Sequence, residues 1–600
     1  MNKLLSRSIL CAVVFSAAAF QAPVSYAQAI LEEIVVTAAY REQGLQDVPI
    51  SISAVTGDTL VETGLQKTED IQFLVPNLTV NETGISTNIF IRGIGSGINQ
   101  AFEQSVGTYI DGVYYGRGQQ VRSPFLDLER VEVLRGPQSI LFGKNSVAGA
   151  MNITTAKPTD DFQGRFMASQ EFEDGETVLE GMLSGSFSDS VRGRLAVRSR
   201  EHDGYIENLT LGEDDPERTD WAARATFEFD LSDTVMATLK YETGEFDVTG
   251  RHIEIIGESP ATVGPFAGLA YNQILFGFFG QDPSVLKVEQ DEKRSANGDF
   301  SDNETEVIAL TLDWEIGEHQ LKSITAFSDF EYEEFCDCDF SGANVFGAAL
   351  QETFEQFSQE FRLSSPLRDD FDYILGLYYQ TRDHDFADQI VVPVDSVLVP
   401  AINLGTPGAG NLVAGTEASR LAEVNNDVLS AFAQVSWHVS DTFTAQIGGR
   451  VTNDERDGFR TMRILAQGGG ALPAPQAGAA VVYANGFGIT SENLVALAGL
   501  GDPTSQFLLS QLGGLPVEGD RDTTKFSPEV KLIWDVGDDN MVFFNWAQGF
   551  KSGSFDFRAN NRNFYTDMAT SFEFDDEEND NFELGGKFSL ADGALEVNAT

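Results

Sequence analysis

The chain has 600 residues, and its 92 acidic against 39 basic side chains give a formal net charge of −53 at pH 7, which repels phosphate backbones and excludes nucleic acid as an expected partner. Three cysteines are too few for a disulfide framework, a metal finger or a redox relay. Aromatic residues make up 11% of the chain without any apolar block long enough for a membrane helix, so the composition favours membrane β-structure.

The N-terminus has the three-part pattern of a secretory signal peptide. Lys3 and Arg7 precede an apolar run over residues 9–20, and small residues follow up to Ala27. The apolar run is too short to span a bilayer. We therefore expect residues 1–27 to be a cleaved signal peptide and the mature chain to leave the cytoplasm.

A short β-prone segment follows the predicted cleavage site, within residues 28–40. A run of this kind near a free chain end can be added as a strand to a partner's sheet through its backbone amides. Taken alone, the pattern is equally consistent with an ordinary edge strand. The segment consists of Glu33, Ile34, Val35, Val36, Thr37 and Ala38.

Residues 41–160 lack the pattern of the rest of the chain and predict a compact α/β domain. Three blocks stand out in it, over Asn88–Gly95 (NIFIRGIG), Val106–Arg117 (VGTYIDGVYYGR) and Leu126–Pro158. Charges of both signs accompany these blocks and would latch the domain to a polar wall, while ordinary surface charge is the alternative interpretation. The candidate latch residues are Arg92, Glu129, Arg130, Glu132 and Arg135.

Past residue 160 the sequence turns into segments of alternating polarity, each of roughly ten residues, separated by turn-forming residues. The clearest segments cover residues 194–200, 234–242, 307–316 and 443–451. Apolar residues on one face and charged residues on the other predict strands of a transmembrane β-barrel with a wet, charged interior. A soluble β-sandwich or propeller would also alternate, but loops of very unequal length argue against it.

The links between the predicted strands alternate between tight turns and long loops, which are typical of periplasmic and extracellular connections respectively. About fifteen strands precede Thr600, an odd number, so we expect a barrel of roughly 22 strands of which the chain is C-terminally incomplete. The tight links lie at 188–190, 231–233, 316–318, 439–441, 537–539 and 591–593, and the long ones at about 248–302, 385–425, 456–522 and 552–578.

Together these segments resemble the TonB-dependent receptors of the bacterial outer membrane. The segment Glu33–Ala38 is similar to the family's TonB box, and the three blocks are similar to its plug-domain signatures. Trp546–Gly553 (WAQGFKSG) and Phe582–Lys587 (FELGGK) resemble recurring barrel strands of the family. One departure is Val75–Asn77, where the family commonly has a Pro-Gly pair.

The resemblance implies an N-terminal α/β plug in the lumen of a transmembrane antiparallel β-barrel formed by residues 161–600. It also implies active import of a scarce ligand, most commonly a ferric siderophore or similar iron chelate, by a monomer in outer-membrane lipid. TonB and its inner-membrane energising complex would be the partner. Ligand would bind between the plug apices and the outer loops, where the candidate contacts are Asn99, Gln100, Tyr114, Tyr115 and Arg117.

Two alternatives to iron import remain open at this point. One is TonB-dependent uptake of another substrate, such as an oligosaccharide, cobalamin or an aromatic compound, because loop composition is not a code for the ligand. The other is a passive porin, which would need neither the box nor the plug.

No catalytic or metal site is visible in the sequence. The five histidines are scattered, and no nucleophile elbow, HExxH motif or phosphate loop occurs. Cys336 and Cys338 are separated by one residue, whereas zinc-binding cysteines usually have about two to four between them, so an acidic solvated loop is the preferred interpretation. We therefore expect no enzymatic activity, no resident cofactor and no metal.

Overall fold

The computed structural model describes residues 35–600 except 38–39, 83–86, 98–100, 123–124, 263, 488–490, 513–516, 538–539, 559–571 and 592–593. The predicted signal peptide lies outside the described residues, as do Glu33, Ile34 and Ala38 of the predicted TonB box. Within the described part of the chain, no helix has both the length and the apolar character that crossing a membrane requires.

The first part of the described chain forms a small central sheet with two short satellite sheets. Its strands are β1 (Val35–Val36), β2 (Gln43–Gly44), β3 (Ile52–Thr56), β4 (Leu78–Glu82), β5 (Thr87–Ile91), β6 (Ile94–Gly95), β7 (Val106–Ile110), β8 (Val113–Tyr115), β9 (Leu128–Arg135) and β10 (Gly149–Thr155). The central sheet has the order β3–β9–β10–β7–β8, in which only β10 and β7 are parallel. Strand β1 pairs with β2, and β4, β5 and β6 form the remaining sheet.

Helix α1 (Gly57–Thr63) directly follows β3 and makes this unit a mixed α/β structure, as expected. The hydroxyl of its N-cap residue, Thr56, accepts a hydrogen bond from the backbone N–H of Thr59 at 3.2 Å. The helix ends at Gly64, whose φ of 70° is left-handed. Two 3₁₀ turns, Thr68–Phe73 and Gln120–Arg122, complete the unit.

The core of this unit extends without interruption into the second part of the molecule. Ile71, Val106 and Val131 are fully buried within the unit. The same cluster includes Val307 and Ile324, which belong to two strands of the large sheet described next. The small unit is therefore packed on the inner wall of that sheet, as a plug would be.

The second part of the chain is one antiparallel sheet of fifteen described strands, each paired with the next of these strands along the chain. The strands are β11 (Gln163–Gln170), β12 (Thr177–Ser188), β13 (Val191–His202), β16 (Glu217–Ser232), β17 (Val235–Thr249), β19 (Phe300–Ile316), β20 (His319–Cys336), β21 (Gly347–Ser364), β22 (Phe371–Val392), β23 (Thr416–Ser440), β24 (Phe443–Ala466), β25 (Val517–Asp535), β26 (Asn540–Lys551), β29 (Glu577–Leu590) and β30 (Leu595–Ala599).

Shorter elements lie in the links between these strands. They are the strands β14 (Ile206–Asn208), β15 (Glu213–Asp215), β18 (Lys293–Arg294), β27 (Ser554–Phe555) and β28 (Glu573–Phe574), the helices α2 (Leu398–Gly405), α3 (Gly410–Val413), α4 (Ala479–Val482), α5 (Glu492–Gly499) and α6 (Pro503–Leu512), the 3₁₀ turns Pro283–Val285 and Ala474–Gln476, and the π-helical turns Gln273–Phe278 and Tyr483–Phe487. The sequence analysis assigned no secondary structure to these links.

The alternation of tight and long links is confirmed. Residues 189–190, 233–234 and 317–318 are tight connections at one edge of the sheet, which we call the turn side. The long links 250–299 and 467–516 lie at the opposite edge, the loop side. Several strands continue farther toward the loop side than predicted, because polar residues occupy both faces there and the alternation of polarity is lost while backbone pairing continues.

The two faces of the large sheet differ in chemistry. On β17, Leu239 and Tyr241 face outward and are exposed, whereas Lys240 between them is buried. Inward charges contact the plug, as when Arg194 donates to both carboxylate oxygens of Asp127 at 2.6 and 2.7 Å. The wet interior stays a prediction.

Carboxylates follow one another across the outward face near the middle of four strands. Glu306, Asp329, Glu355 and Asp383 occupy directly opposed positions on four neighbouring strands, β19 to β22. None of the ion pairs formed by the described residues includes any of these four carboxylates. Like charges in this arrangement weaken strand pairing.

Cys336 and Cys338, at the end of β20, are joined by a disulfide bond. The expectation of an acidic, solvated loop is wrong for Asp337 between them, which is buried and accepts a hydrogen bond from the backbone N–H of Asn297 at 2.8 Å. Burial and the neighbouring Asp339 raise the pKa of Asp337 to about 8. The segment is thus a packed corner of the loop side.

Candidate functional site

The N-terminal segment is the first part of the candidate site, and its described residues form a strand. Val35 and Val36 pair with Gly44 and Gln43 in β2. Val36 is fully buried, while Val35 is 45% exposed. The backbone N–H of Thr37 donates to the carboxylate of Glu132 at 2.8 Å, so the segment is tied to the central sheet of the plug.

Two of the five predicted latch residues, Arg130 and Glu132, bind this segment rather than the large sheet, and a third, Glu129, binds Arg130. Arg130 donates to Glu132 at 2.7 Å and to the hydroxyl of Thr37 at 2.8 Å. Asn152 on the next strand donates to the other oxygen of Glu132 at 2.9 Å. Glu129 pairs with Arg130 at the partly exposed edge of the plug. Arg130 and Glu132 share one face of β9, and that face is turned to the N-terminal segment.

Arg135, a fourth predicted latch residue, is held inside the plug without a carboxylate partner. Its guanidinium donates to the carbonyl oxygen of Pro76 at 3.1 Å and to the hydroxyl of Ser53 at 2.7 Å. None of the ion pairs found among the described residues includes Arg135. Burial, followed by the nearby Arg92, lowers the pKa of Arg135. The expected bidentate carboxylate pair is therefore not present in the described structure.

Two hairpin turns of the plug do reach the large sheet. Arg92–Gly93 and Asp111–Gly112 connect directly paired residues, and both residues of each turn have positive φ, between 51° and 84°, as a type I′ turn requires. In each turn the charged residue comes first. Arg92 pairs with Glu583 on β29.

Asp111, at the tip of the second turn, pairs with Lys240 on β17 at 2.8 Å. Burial alone would raise the pKa of Asp111, but Lys240 and a hydrogen bond from the backbone N–H of Thr155 outweigh it and lower the pKa to about 2. Sequence reasoning missed Asp111. The signal was present, because an Asp-Gly pair between two β-prone runs is a strong hairpin pattern.

A buried charge cluster joins the plug to the large sheet near the loop side. Glu103 of the plug pairs with Arg382 on β22 and, at 3.1 Å, with Arg456 on β24. Lys144 of the plug lies 3.4 Å from Glu103 and 2.6 Å from Asp454 on β24. Burial would raise the pKa of Glu103, but the three cations hold it well below its usual value. We call these five residues the apical cluster.

The predicted ligand contacts that the structure describes are buried. Tyr114 and Tyr115 belong to β8, with 5% and 4% exposure, and Arg117 pairs with Glu352 on β21. Strand β21 covers this edge of the central sheet, so the three residues are packed against the large sheet, and their contact with ligand stays a prediction. Gln356 on β21 donates to the carbonyl oxygen of Tyr114 at 2.9 Å. The other two candidates, Asn99 and Gln100, lie outside the described residues.

The described residues contain no group of three or more histidine, cysteine, aspartate or glutamate side chains arranged to hold a metal ion. The chemistry that this arrangement supports is mechanical and electrostatic. A folded plug is joined to a surrounding sheet through ion pairs at its turns and apex, and a strand at its N-terminus is accessible at Val35.

Comparison with known sequences identifies relatives of both parts. The family model described as the TonB-dependent receptor plug domain matches residues 44–150, and the model of the TonB-dependent receptor-like β-barrel matches residues 184–600. The iron-regulated outer membrane virulence protein of Vibrio cholerae is 30% identical over 210 residues, which are 33% of this chain and 32% of that protein. The pesticin receptor of Yersinia pestis is 27% identical over 169 residues, 28% of this chain and 25% of that protein. The matched part thus spans about a third of the length of these curated relatives or less.

Solved structures share the fold over most of the chain. The ferric yersiniabactin uptake receptor of Yersinia pestis has a TM-score of 0.64 at 16% identity, covering 91% of this chain and 70% of that one. The ferripyoverdine receptor of Pseudomonas aeruginosa has a TM-score of 0.60 at 16% identity, covering 94% of this chain and 64% of that one. Because the barrel model alone matches more than half of the sequence, the chain belongs to the family of TonB-dependent receptors of the outer membrane.

Proposed function

We propose that this protein imports a ferric siderophore or a similar iron chelate across the outer membrane by TonB-dependent active transport. The observation that carries the proposal is the plug, which packs on the inner wall of the sheet and is anchored by the apical cluster and by Arg92 and Asp111. A plug held by buried ion pairs does not move aside spontaneously. Work must be done on it before a ligand can pass.

The N-terminal strand supplies the place where that work is applied. In this proposal TonB, with its inner-membrane energising complex, adds a strand to residues Glu33 to Ala38 and pulls. Tension at Thr37 reaches Glu132 directly, and from there the central sheet of the plug. The units would be the segment 28–40, a plug of residues 41–160 and a barrel from residue 161, acting as a monomer in outer-membrane lipid.

The substrate class is supported by what the relatives are named for. They include receptors for ferric yersiniabactin and ferripyoverdine and an iron-regulated outer membrane protein. Cobalamin is the second candidate, because a vitamin B12 transporter of Photobacterium profundum is 26% identical over 174 residues. We expect ligand to bind at the loop-side end of the plug, near Arg117 and the apical cluster.

Val35→Pro tests the coupling. Proline removes a backbone donor and restricts the preceding residue, so strand addition should fail while ligand binding stays normal. Uptake of iron-55-labelled chelates, and separately of labelled cobalamin, should fall to the level of cells without TonB. Val35→Thr, which keeps the β-prone backbone, serves as the matched control. Unchanged uptake by the proline variant would rule out TonB coupling through this segment.

A further inference from the structure

A cavity of about 110 Å³ lies between the plug and the inner wall of the sheet, near the loop side. Lys67 and Arg122 of the plug line it together with three arginines of the wall. Those arginines stand at the loop-side ends of strands: Arg200 in β13, Arg218 in β16 and Arg251 just past β17. The cavity is therefore formed jointly by the two parts of the molecule.

The lining is strongly cationic for this chain. Five lysine and arginine residues line the cavity against one carboxylate, that of Glu82, although acidic residues outnumber basic ones by 92 to 39 in the sequence. Two histidines, His202 and His252, line it as well. Such a concentration of donors reverses the charge preference of the protein surface.

Carboxylates behind the lining hold the wall arginines in place. Asp220 accepts from Arg218 at 2.7 Å, and Glu334 accepts from Arg251 at 2.6 Å. Neither carboxylate lines the cavity. Arg251 also lies 3.2 Å from Asp299, whereas Arg218 has one carboxylate partner in the described part of the chain, and a guanidinium with five N–H donors then keeps donors for the cavity side. The ion pairs thus fix the orientation of these arginine side chains toward the cavity.

Two of the guanidinium groups lie against the same aromatic ring. The guanidinium carbons of Arg122 and Arg218 lie 4.7 and 5.2 Å from the ring centroid of Phe246, which is almost fully buried. Arg122 is itself buried, and its Nη2 donates to the carboxylate of Glu82, while its Nε has no hydrogen-bond partner among the described residues. A buried charged donor without a partner is costly unless a ligand satisfies it.

We infer that this cavity binds an oxyanion, a carboxylate or phosphate group carried by the imported ligand. The cavity is too small for a whole chelate and suits one acidic arm of it, held by charge-assisted hydrogen bonds from the cations of the lining. The inference rests on the proposed function for the identity of the ligand. Because Lys67 and Arg122 belong to the plug and the other cations to the wall, any displacement of the plug divides the site and releases the arm.

Binding is tested with the full chain in detergent, by equilibrium dialysis against radiolabelled citrate and, separately, inorganic phosphate. We expect saturable binding of at least one anion by the wild type, weakened by about tenfold or more in Arg122→Gln/Arg218→Gln. Lys287→Gln/Lys293→Gln, which removes the same charge from paired lysines of the 250–299 link, is the matched control and should bind as the wild type does.

Two outcomes would overturn the inference: neither anion binds saturably, or the arginine variant binds like the control. If that variant does not fold, as judged by heat-modifiable migration, Lys67→Gln decides instead, because Lys67 is partly exposed and its replacement should still weaken binding several-fold. The assay needs no TonB. Unchanged uptake by Val35→Pro with intact anion binding would count against TonB-dependent transport alone, and absent anion binding with normal uptake would count against this site alone.

Discussion

The two ends of the plug are joined to the large sheet in different ways. Near the loop side, Glu103 and Lys144 enter a buried cluster of five charges. Near the turn side, separate bonds hold residues 45 and 46 of the plug, namely the hydrogen bond between Gln46 and Glu596 at 2.7 Å and that from Lys587 to the carbonyl oxygen of Leu45 at 2.6 Å. Separate bonds break one at a time, whereas a buried cluster resists until several partners are lost together. The comparison indicates that the plug is weakest where tension would be applied and strongest where ligand would arrive.

The largest effect is expected from Glu103→Gln. The substitution leaves Lys144, Arg382 and Arg456 buried with only Asp454 to balance them, and the cost should be about 3 to 5 kcal/mol. Hydrogen exchange of the amides of residues 101–105 measures it as a lower opening free energy. Glu129→Gln, at a partly exposed position, is the control. Equal effects of the two substitutions would show that the apex is not the strong end.

Arg92→Ala should come next. It leaves the buried carboxylate of Glu583 without its cation, which should lower the opening free energy of the plug by about 2 to 3 kcal/mol. The plug should loosen while the sheet stays folded. The measurements are single-channel conductance and sensitivity to large antibiotics, both of which should rise. Arg135→Ala removes contacts within the plug only, so its conductance should match the wild type while the plug stays folded. Raised conductance in Arg135→Ala together with wild-type conductance in Arg92→Ala would show that Arg135, and not Arg92, is the latch residue.

The ion pair between Asp111 of the plug and Lys240 of the large sheet should make the opening free energy of the plug depend on pH. The folded pKa of Asp111, about 2, lies below its usual 3.8, so its contribution is fully present above the usual value and is lost as the pH falls through about 2. The shift corresponds to about 2 kcal/mol. The opening free energy of the plug should therefore fall between pH 5 and pH 2 by that much more in the wild type than in Asp111→Asn. Identical pH profiles would mean that Lys240 contributes nothing through this pair.

The smallest effect is expected at the turn side, from Gln46→Ala. Its bond to Glu596 is exposed, and its loss should change the opening free energy of residues 41–48 by less than about 1 kcal/mol. Hydrogen exchange of the same segment gives the value. A loss as large as that of Glu103→Gln would contradict the difference between the two ends.

The order of the strands, and the side of the sheet on which each link lies, could be predicted from the sequence. Both depend on alternation of polarity and on link length, which are local properties. The sequence also contained both glycine turns that carry Arg92 and Asp111. The sequence could not predict which residues of the plug and of the large sheet contact each other. Arg456 and Glu103 are 353 residues apart, and nothing near either residue indicates the other. The burial of Tyr114 could not be predicted for the same reason, since it depends on a strand of the wall and not on the plug's own pattern.

The row of carboxylates on the outward face has a consequence for the medium in which the protein works. Glu306, Asp329, Glu355 and Asp383 stand opposite one another at cross-strand distances of about 5 Å and repel. Dissolved salt shortens the reach of that repulsion, from about 30 Å at 0.01 M to about 3 Å at 1 M. Ionic strength should therefore strengthen the pairing of β19 to β22, and dilute buffer should weaken it.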